Sequence, residues 1–146
     1  MSRPDLPELI RHAVGLGLYT NLITSGVLLN EKTFPALVEA GLDHVQLSFQ
    51  DIETANAELV GGMKGAQARK IEAARLVAAD GMPLTLNFVI YRENAERVPQ
   101  MLEAALQMGA RRVEIAHTQY YGWGLANRAA LMPTAAQLEQ TTEAVE

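Results

Sequence analysis

The chain has 146 residues, of which 49% are hydrophobic, with a formal net charge of −5 and no cysteine. This composition excludes a disordered segment, disulfide bonds and thiolate metal sites, and it argues against an electrostatic binder of nucleic acid. No apolar run is as long as a membrane span, and the N-terminal residues lack the apolar core of a signal peptide. We therefore expect a cytoplasmic protein without a nucleic-acid or membrane partner.

Helical and strand patterns alternate along the first half of the chain. Apolar residues at helical spacing predict a first helix within residues 4–15. Asn30 is a good N-cap for a second helix, and Gly41 stands where a left-handed C-cap glycine belongs. That second helix is expected to bury Phe34, Leu37 and Val38. Strands are predicted at residues 18–24 and 44–49.

The second half continues the alternation. A third helix is predicted from about Gly65 to Asp80, a strand from Leu84 to Ile90, and a strand that ends near His117. Asn94 is a candidate cap for a fourth helix, and Thr134 with Gln137 forms a capping box for a last one. The inward residues are expected to be Ala68, Ile71, Ala74 and Ala78 in the third helix, Val98, Leu102, Ala105 and Leu106 in the fourth, and Leu138, Thr142 and Val145 in the last.

The resulting order of elements is αβαβαβαβα. Such alternation predicts an α/β fold with a parallel sheet and right-handed crossover connections. No low-complexity linker divides the chain, so the order is read as a single domain. An antiparallel sheet with one solvated face is the alternative that the strand composition leaves open.

The strands separate an apolar face from a polar one. In the second strand, Val45, Leu47 and Phe49 alternate with polar residues, and in the third strand Thr85 and Asn87 alternate with apolar ones. Polar side chains in mid-strand need partners, so we expect helices on the apolar face and a polar ligand or a water-filled lumen on the other. Alternatively, the polar groups bond only to one another in a closed core. The polar-face residues are Asn21, Gln46, Ser48, Gln50 and Asn87.

Few catalytic motifs are present. No glycine fingerprint for dinucleotides, phosphate loop, nucleophile elbow or metal-binding histidine pair occurs. His117 ends a strand, at the edge of the sheet where parallel α/β folds place their sites, and is a candidate for contact with a ligand or substrate. Asp51 follows a strand and is either an acceptor for the hydroxyls of a ribose-like group or a turn and helix cap. Tyr120, Tyr121 and Trp123 either line a substrate or pack against something outside this chain.

Four segments in order resemble one known family. They are Thr20–Gly26, Leu42–Asp51, Leu84–Val89 and His117–Gly124, followed by Asn127–Pro133. Together they are similar to the PqqE family, the radical S-adenosylmethionine enzymes that crosslink a peptide in pyrroloquinoline quinone biosynthesis. The resemblance implies a partial (β/α) barrel of the radical SAM type, with four parallel strands here and the helices outside. Residues 1–146 then correspond to the central part of that barrel.

The resemblance also implies two cofactors. Family members hold a 4Fe-4S cluster in a C-x-x-x-C-x-x-C loop after the first barrel strand, and S-adenosylmethionine binds to that cluster. The first two strands with this loop, and the C-terminal domain with auxiliary clusters, have no counterpart in this sequence. Without cysteine the chain cannot ligate the cluster, so we expect it to be inactive alone.

The family's reaction joins a glutamate and a tyrosine side chain of the precursor peptide PqqA through a carbon–carbon bond, assisted by the peptide chaperone PqqD. By resemblance, the cofactor side of the site is formed by Asn21 and Ser25 at one strand mouth, Ser48, Gln50 and Asp51 near the methionine or ribose, and Asn87 facing the nucleoside. His117 and Tyr120 are candidates for the peptide side. A radical enzyme for another ribosomal peptide and a non-catalytic βα binding module are the alternatives.

Overall fold

Four parallel strands form one sheet in the order β1-β2-β3-β4, and helices connect them. The structure is a computed structural model that describes residues 3–145, and residues 1, 2 and 146 lie outside the described part. All three strand pairs are parallel, so the predicted α/β topology is confirmed and the antiparallel alternative is wrong. The strands are β1 (Asn21–Thr24), β2 (His44–Phe49), β3 (Leu84–Ile90) and β4 (Arg112–His117).

The predicted helices are present, and three further helices accompany them. Helix α3 and the short α6 and α7 occupy segments that were expected to be loops, and a single 3₁₀ turn at Ala95–Arg97 precedes α5. Among the described residues, no helix combines the length and the apolar character needed to cross a bilayer. The helices are α1 (Leu6–Gly15), α2 (Phe34–Glu39), α3 (Thr54–Gly61), α4 (Ala66–Asp80), α5 (Val98–Gln107), α6 (Gly122–Ala126), α7 (Arg128–Leu131) and α8 (Ala135–Val145).

The core lies on the apolar face of the sheet. Val45, Leu47, Phe49, Leu86 and Phe88 are all fully buried there, as the alternation in β2 and β3 predicts. The rings of Phe49 and Phe88 lie side by side, with their centroids 5.6 Å apart and tilted by 39°. The buried face therefore fixes which side chains of β2 and β3 point the other way.

Helix α4 faces the core with most of the predicted residues. Ala74 is fully buried, and Ile71 and Ala78 pack against the core, but Ala68 is exposed. Two polar residues of α4 are also buried, since Gln67 and Lys70 are 3% and 4% exposed. A search for apolar periodicity passes over Gln67 and Lys70, so the prediction did not include them in the buried face.

In α5 three of the four predicted residues face the core, since Val98 and Ala105 are fully buried and Leu102 packs against the core, whereas Leu106 is 73% exposed. Helix α8 is rotated relative to the prediction. In α8 the expected residues Leu138, Thr142 and Val145 are exposed, and Thr141 is buried instead. The Thr141 hydroxyl can be buried because it donates to the Gln137 carbonyl oxygen of its own helix over 2.8 Å.

The predicted ends of the helices and strands are partly confirmed. Gly41 has φ +88° after α2, and the capping box is formed by reciprocal bonds between Thr134 and Gln137. Asn30, however, caps a turn rather than a helix, since its Oδ1 accepts the N–H groups of residues 32 and 33 before α2 begins. Strand β1 begins three residues later than expected. Thr20 instead donates its N–H and hydroxyl to the Asp43 carboxylate over 2.7 and 2.8 Å.

Candidate functional site

The polar face of the sheet carries the candidate site. The register places Ser48 beside Asn87 and Asn87 beside Glu114, so these three side chains form one row across β2, β3 and β4. Asn21 pairs with His44 and projects on the same face. The face remains open: Asn21 is exposed, and Ser48 and Asn87 are half-buried. The structure thus places Asn21, Ser48 and Asn87 together on one accessible surface.

A carboxylate on the edge strand β4, which reaches across this face, was not predicted. Glu114 Oε2 accepts hydrogen bonds from Gln46 Nε2 over 3.0 Å and from Asn87 Nδ2 over 3.2 Å. Arg112 lies 3.5 Å from the other carboxylate oxygen. The sequence signal was available, because Glu114 stands at a polar-face position of a predicted strand. The expectation of polar groups that bond to one another is met here, but on an open face rather than in a closed core.

The amino-terminal end of the same face has a second polar pair. His44 Nε2 and Thr85 Oγ1 are 2.8 Å apart and part-buried. This contact explains how two polar residues are accommodated at the lower end of β2 and β3. His44 is thereby held within the sheet by its contact with β3.

Gln50 lies just past the end of β2 and contacts α4 rather than Glu114. Its Oε1 accepts a hydrogen bond from Lys70 Nζ, which also donates to the Ser48 carbonyl oxygen over 3.0 Å. Burial lowers the pKa of Lys70, whose ammonium lies 5.7 Å from the centre of the Phe49 ring. Lys70 therefore ties the carboxyl end of β2 to α4, and Gln50 is part of that connection.

Asp51 is fully buried and its carboxylate is engaged within the fold. Oδ1 accepts the N–H of Ile52 over 2.7 Å and Nε of Arg97 over 3.0 Å, and Oδ2 accepts from Asn56 and from the Arg97 guanidinium. Burial opposes ionisation, but the bonds from Arg97, Asn56 and the backbone outweigh it and lower the pKa of Asp51. Of the two roles considered for Asp51, this geometry has the features of a turn that holds the loop after β2.

Asn94 does not cap a helix, contrary to the prediction. Its Nδ2 donates to the carbonyl oxygens of Gln50 and Val89 over 2.8 and 2.9 Å, and its Oδ1 accepts the Tyr91 N–H. Because Gln50 follows β2 and Val89 lies in β3, Asn94 joins the ends of the two strands. Its burial among backbone groups, which need partners, explains why the side chain turns inward rather than toward the following turn.

Tyr91 completes this buried network. Its hydroxyl oxygen accepts a hydrogen bond from Asn56 Nδ2 over 2.8 Å. Burial and the nearby charge of Asp51 raise the pKa of Tyr91 to about 12. The rim behind Ser48 is consequently held by polar side chains that do not themselves reach the open face.

The remaining predicted residues lie at separate edges of the site. Ser25 follows β1 and is exposed, and His117 is exposed at the end of β4. Tyr120 is half-buried, and the Arg128 guanidinium lies 5.6 Å from the centre of its ring. Tyr121 and Trp123 are 79% and 86% exposed, so they make little contact with the described part of the chain.

A cavity also lies away from this face. A cavity of about 840 Å³ lies on the helical side, between the segment 27–32 and α4. We assign the site to the open polar face because hydrogen-bonding groups from three strands converge there. An open surface does not form an enclosed volume, even where it carries a binding site.

Comparison with known proteins identifies the family. The model of the Radical SAM superfamily matches residues 1–105. The chain belongs to the radical SAM superfamily. The PqqA peptide cyclase of Gluconobacter oxydans is 64% identical over all 146 residues, which are 41% of that protein. The predicted resemblance to radical SAM enzymes is thereby confirmed.

Two solved structures share the fold of this chain. SuiB of Streptococcus suis, solved with S-adenosylmethionine, has a TM-score of 0.74 and 17% identity, covering 97% of this chain and 32% of SuiB. SuiB bound to its precursor peptide SuiA has a TM-score of 0.69 and 16% identity, with 97% and 31% coverage. This chain therefore spans about 40% of the PqqA peptide cyclases, and about a third of SuiB.

Radical SAM enzymes use S-adenosylmethionine and a 4Fe-4S cluster, and the two fit this chain differently. The open face offers hydroxyl and amide groups from Asn21, Ser48 and Asn87, which suit the neutral hydrogen-bonding groups of a nucleoside. The cluster does not fit, because thiolate ligation needs cysteine and the sequence has none. Among residues 3–145 no cluster of His, Asp or Glu is placed to hold a metal ion either.

Proposed function

We propose that this chain is the central part of a radical SAM enzyme that modifies the precursor peptide PqqA in pyrroloquinoline quinone biosynthesis. The observation that carries the proposal is 64% identity, over the whole chain, to a PqqA peptide cyclase. We further propose that the reaction forms the carbon–carbon bond between a glutamate and a tyrosine of PqqA. PqqD acts as the peptide chaperone, and the cytoplasm supplies the ribosomally made precursor.

The open face is the proposed binding surface for S-adenosylmethionine. When bound, this cofactor supplies the chemistry that removes a hydrogen atom from the peptide. Ser48 and Asn87 lie in one row and are assigned to the nucleoside. Asn21 and Ser25, in and after the neighbouring strand β1, are assigned to the same cofactor. The hydroxyl and amide groups of these residues hold and orient such a ligand through hydrogen bonds.

Two further residues are assigned to the rim and two to the peptide. Gln50 and Asp51 are proposed to position the end of β2 beside the cofactor, because Lys70 and Arg97 hold them from behind. His117 and Tyr120 follow or end β4 and are proposed for the peptide side. Residues 1–146 alone are proposed to be inactive, because this part supplies no thiolate for the cluster.

A chimera tests the proposal. The corresponding segment of the Gluconobacter oxydans cyclase is replaced by this chain, and the crosslinked PqqA is measured by mass spectrometry. We expect crosslinked peptide from the chimera and a loss of about tenfold or more in Ser48→Ala and Asn87→Ala chimeras. Thr142→Ala, in the exposed part of α8, is the matched control. A chimera that retains its clusters and binds S-adenosylmethionine, but leaves PqqA unmodified, contradicts the assigned peptide.

A further inference from the structure

Glu114 is the only acidic residue in the four described strands, and it lies on their open face. Its Oε2 accepts from Gln46 of β2 over 3.0 Å and from Asn87 of β3 over 3.2 Å, so one carboxylate connects three adjacent strands. Placing a carboxylate in mid-strand has an energetic cost, because part of its hydration is lost. The position therefore calls for an explanation beyond the stability of the sheet.

The chemistry of a carboxylate fixes how the two amides are turned. An ionised carboxylate has only acceptors, so Gln46 and Asn87 must both present their NH₂ groups to Glu114. The opposite orientation of either amide would place a carbonyl oxygen against a negative charge. Arg112 lies 3.5 Å from Oε1 and forms an ion pair with the carboxylate from the side away from the two amides.

The consequence concerns the other atom of each amide. With the NH₂ groups turned to Glu114, Oε1 of Gln46 and Oδ1 of Asn87 have no hydrogen-bond donor among the described residues. Gln46 and Asn87 are both half-buried beside Ser48 on the accessible face. The central part of this face thus presents two acceptors whose orientation is set by a third residue.

We propose that Glu114 is a positioning residue that locks the side-chain amides of Gln46 and Asn87, so that their carbonyl oxygens select a ligand with hydrogen-bond donors at this point. This rests on the proposed function, in which Asn87 faces a nucleoside. The groups selected are the hydroxyl or amino groups of that nucleoside. Glu114 acts through Gln46 and Asn87 and need not touch the ligand.

The orientation is tested first, without any ligand. Hydrogen exchange of the side-chain NH₂ groups is measured by NMR in the wild-type chain, Glu114→Ala and Glu114→Gln. We expect both amides to exchange about tenfold faster in Glu114→Ala, because a charge-assisted bond is lost. In Glu114→Gln both amides can keep an acceptor, because both donate to one oxygen and an amide oxygen has two lone pairs, so we expect a smaller acceleration from the loss of the charge alone. The control is Glu103→Gln on α5, which removes the charge from the exposed contact with Gln107 and leaves Gln46 and Asn87 unaffected. Unchanged exchange at Gln46 and Asn87 in Glu114→Ala overturns the proposal.

The selection of donors is tested second, with adenosine as the probe. Affinities are compared with those of 2′,3′-di-O-methyladenosine and N6,N6-dimethyladenosine. We expect wild type to prefer adenosine over one of these analogues by about tenfold, and Glu114→Ala to lose that preference while remaining folded. A preference that survives in Glu114→Ala overturns the selection. If wild type binds no nucleoside, the proposed function and the selection are both contradicted, whereas the exchange rates still decide the amide orientation.

Discussion

Arg97 donates its Nε to Oδ1 of Asp51 over 3.0 Å, and this bond joins residues that are 46 positions apart. Asp51 follows β2, and Arg97 ends the turn that leads into α5. The pair therefore fixes the rim of the open face from its buried side. Removing either partner should affect both the stability of the chain and the placement of Ser48.

Asp51→Asn should destabilise the chain at neutral pH by about 2–3 kcal/mol, because a buried charged partner of Arg97 is lost. The pKa of Asp51 is lower in the folded chain than in the unfolded one. The stabilisation by the Asp51 carboxylate is therefore complete above its pKa in the unfolded chain, about 4. It disappears as the pH falls through its lower pKa in the folded chain. Urea unfolding at several pH values measures this. Glu72→Gln, which breaks an exposed pair with Arg75, is the control and should change little. A stability difference that does not shrink in acid would count against the assigned role of Asp51.

Tyr91→Phe should lower the free energy of unfolding by about 1 kcal/mol at neutral pH, because only the hydrogen bond from Asn56 is lost. At alkaline pH the variant should become more stable than the wild-type chain. The folded pKa of Tyr91 is about 12, so the neutral phenol stabilises the fold below the unfolded value of about 10, and this is lost as the pH rises toward 12. Phenolate absorbance should show a component near pH 12 that is absent in Tyr91→Phe. Finding that component unchanged in the variant refutes the assignment.

Gly26→Ala should destabilise the chain by about 2–4 kcal/mol, because φ is +78° and the added Cβ would lie 3.0 Å from Leu47 Cδ2. Gly17 also has a positive φ, of +73°, but nothing lies within 4 Å of its added Cβ. Gly17→Ala should therefore cost only about 1 kcal/mol of conformational strain. The difference between the two thermal unfolding curves isolates the crowding against Leu47. Equal costs would show that Leu47 moves aside.

Phe88→Ala should lower the free energy of unfolding by about 3–5 kcal/mol, because it removes a fully buried ring that packs against Phe49. Leu106→Ala is the matched control, since Leu106 is 73% exposed although the apolar pattern of α5 predicts it inside. That control should change the unfolding energy by less than about 0.5 kcal/mol. A large effect at Leu106 would indicate that α5 is rotated from its position in this structure.

The strands were predictable because their patterns are local. Val45, Leu47 and Phe49 alternate with polar residues within a single strand, and alternation alone tells which face is buried. From that rule, the positions of Ser48 and Asn87 on one shared face follow once the sheet is parallel. Glu114 obeys the same rule and could have been found by applying it to β4.

The rim and the helix faces were not predictable in the same way. Asn94 bonds to Gln50, 44 residues away, and Lys70 bonds to Ser48, 22 residues away, so the surroundings of each are set by the completed fold. The burial of Lys70 depends on acceptors that no local pattern contains. Apolar periodicity consequently finds Ile71, Ala74 and Ala78 of α4 but misses the buried Lys70.

The bridge that Asn94 makes between Gln50 and Val89 has a consequence for ligand recognition. Adjacent strands linked at their tips cannot splay independently, so the spacing between Ser48 and Asn87 is set before any guest arrives. A rigid binding surface loses little conformational entropy on binding and discriminates between ligands by shape. We therefore expect changes in ligand structure to be accepted at the outer strands of the sheet, and to weaken binding where they fall between its two central strands.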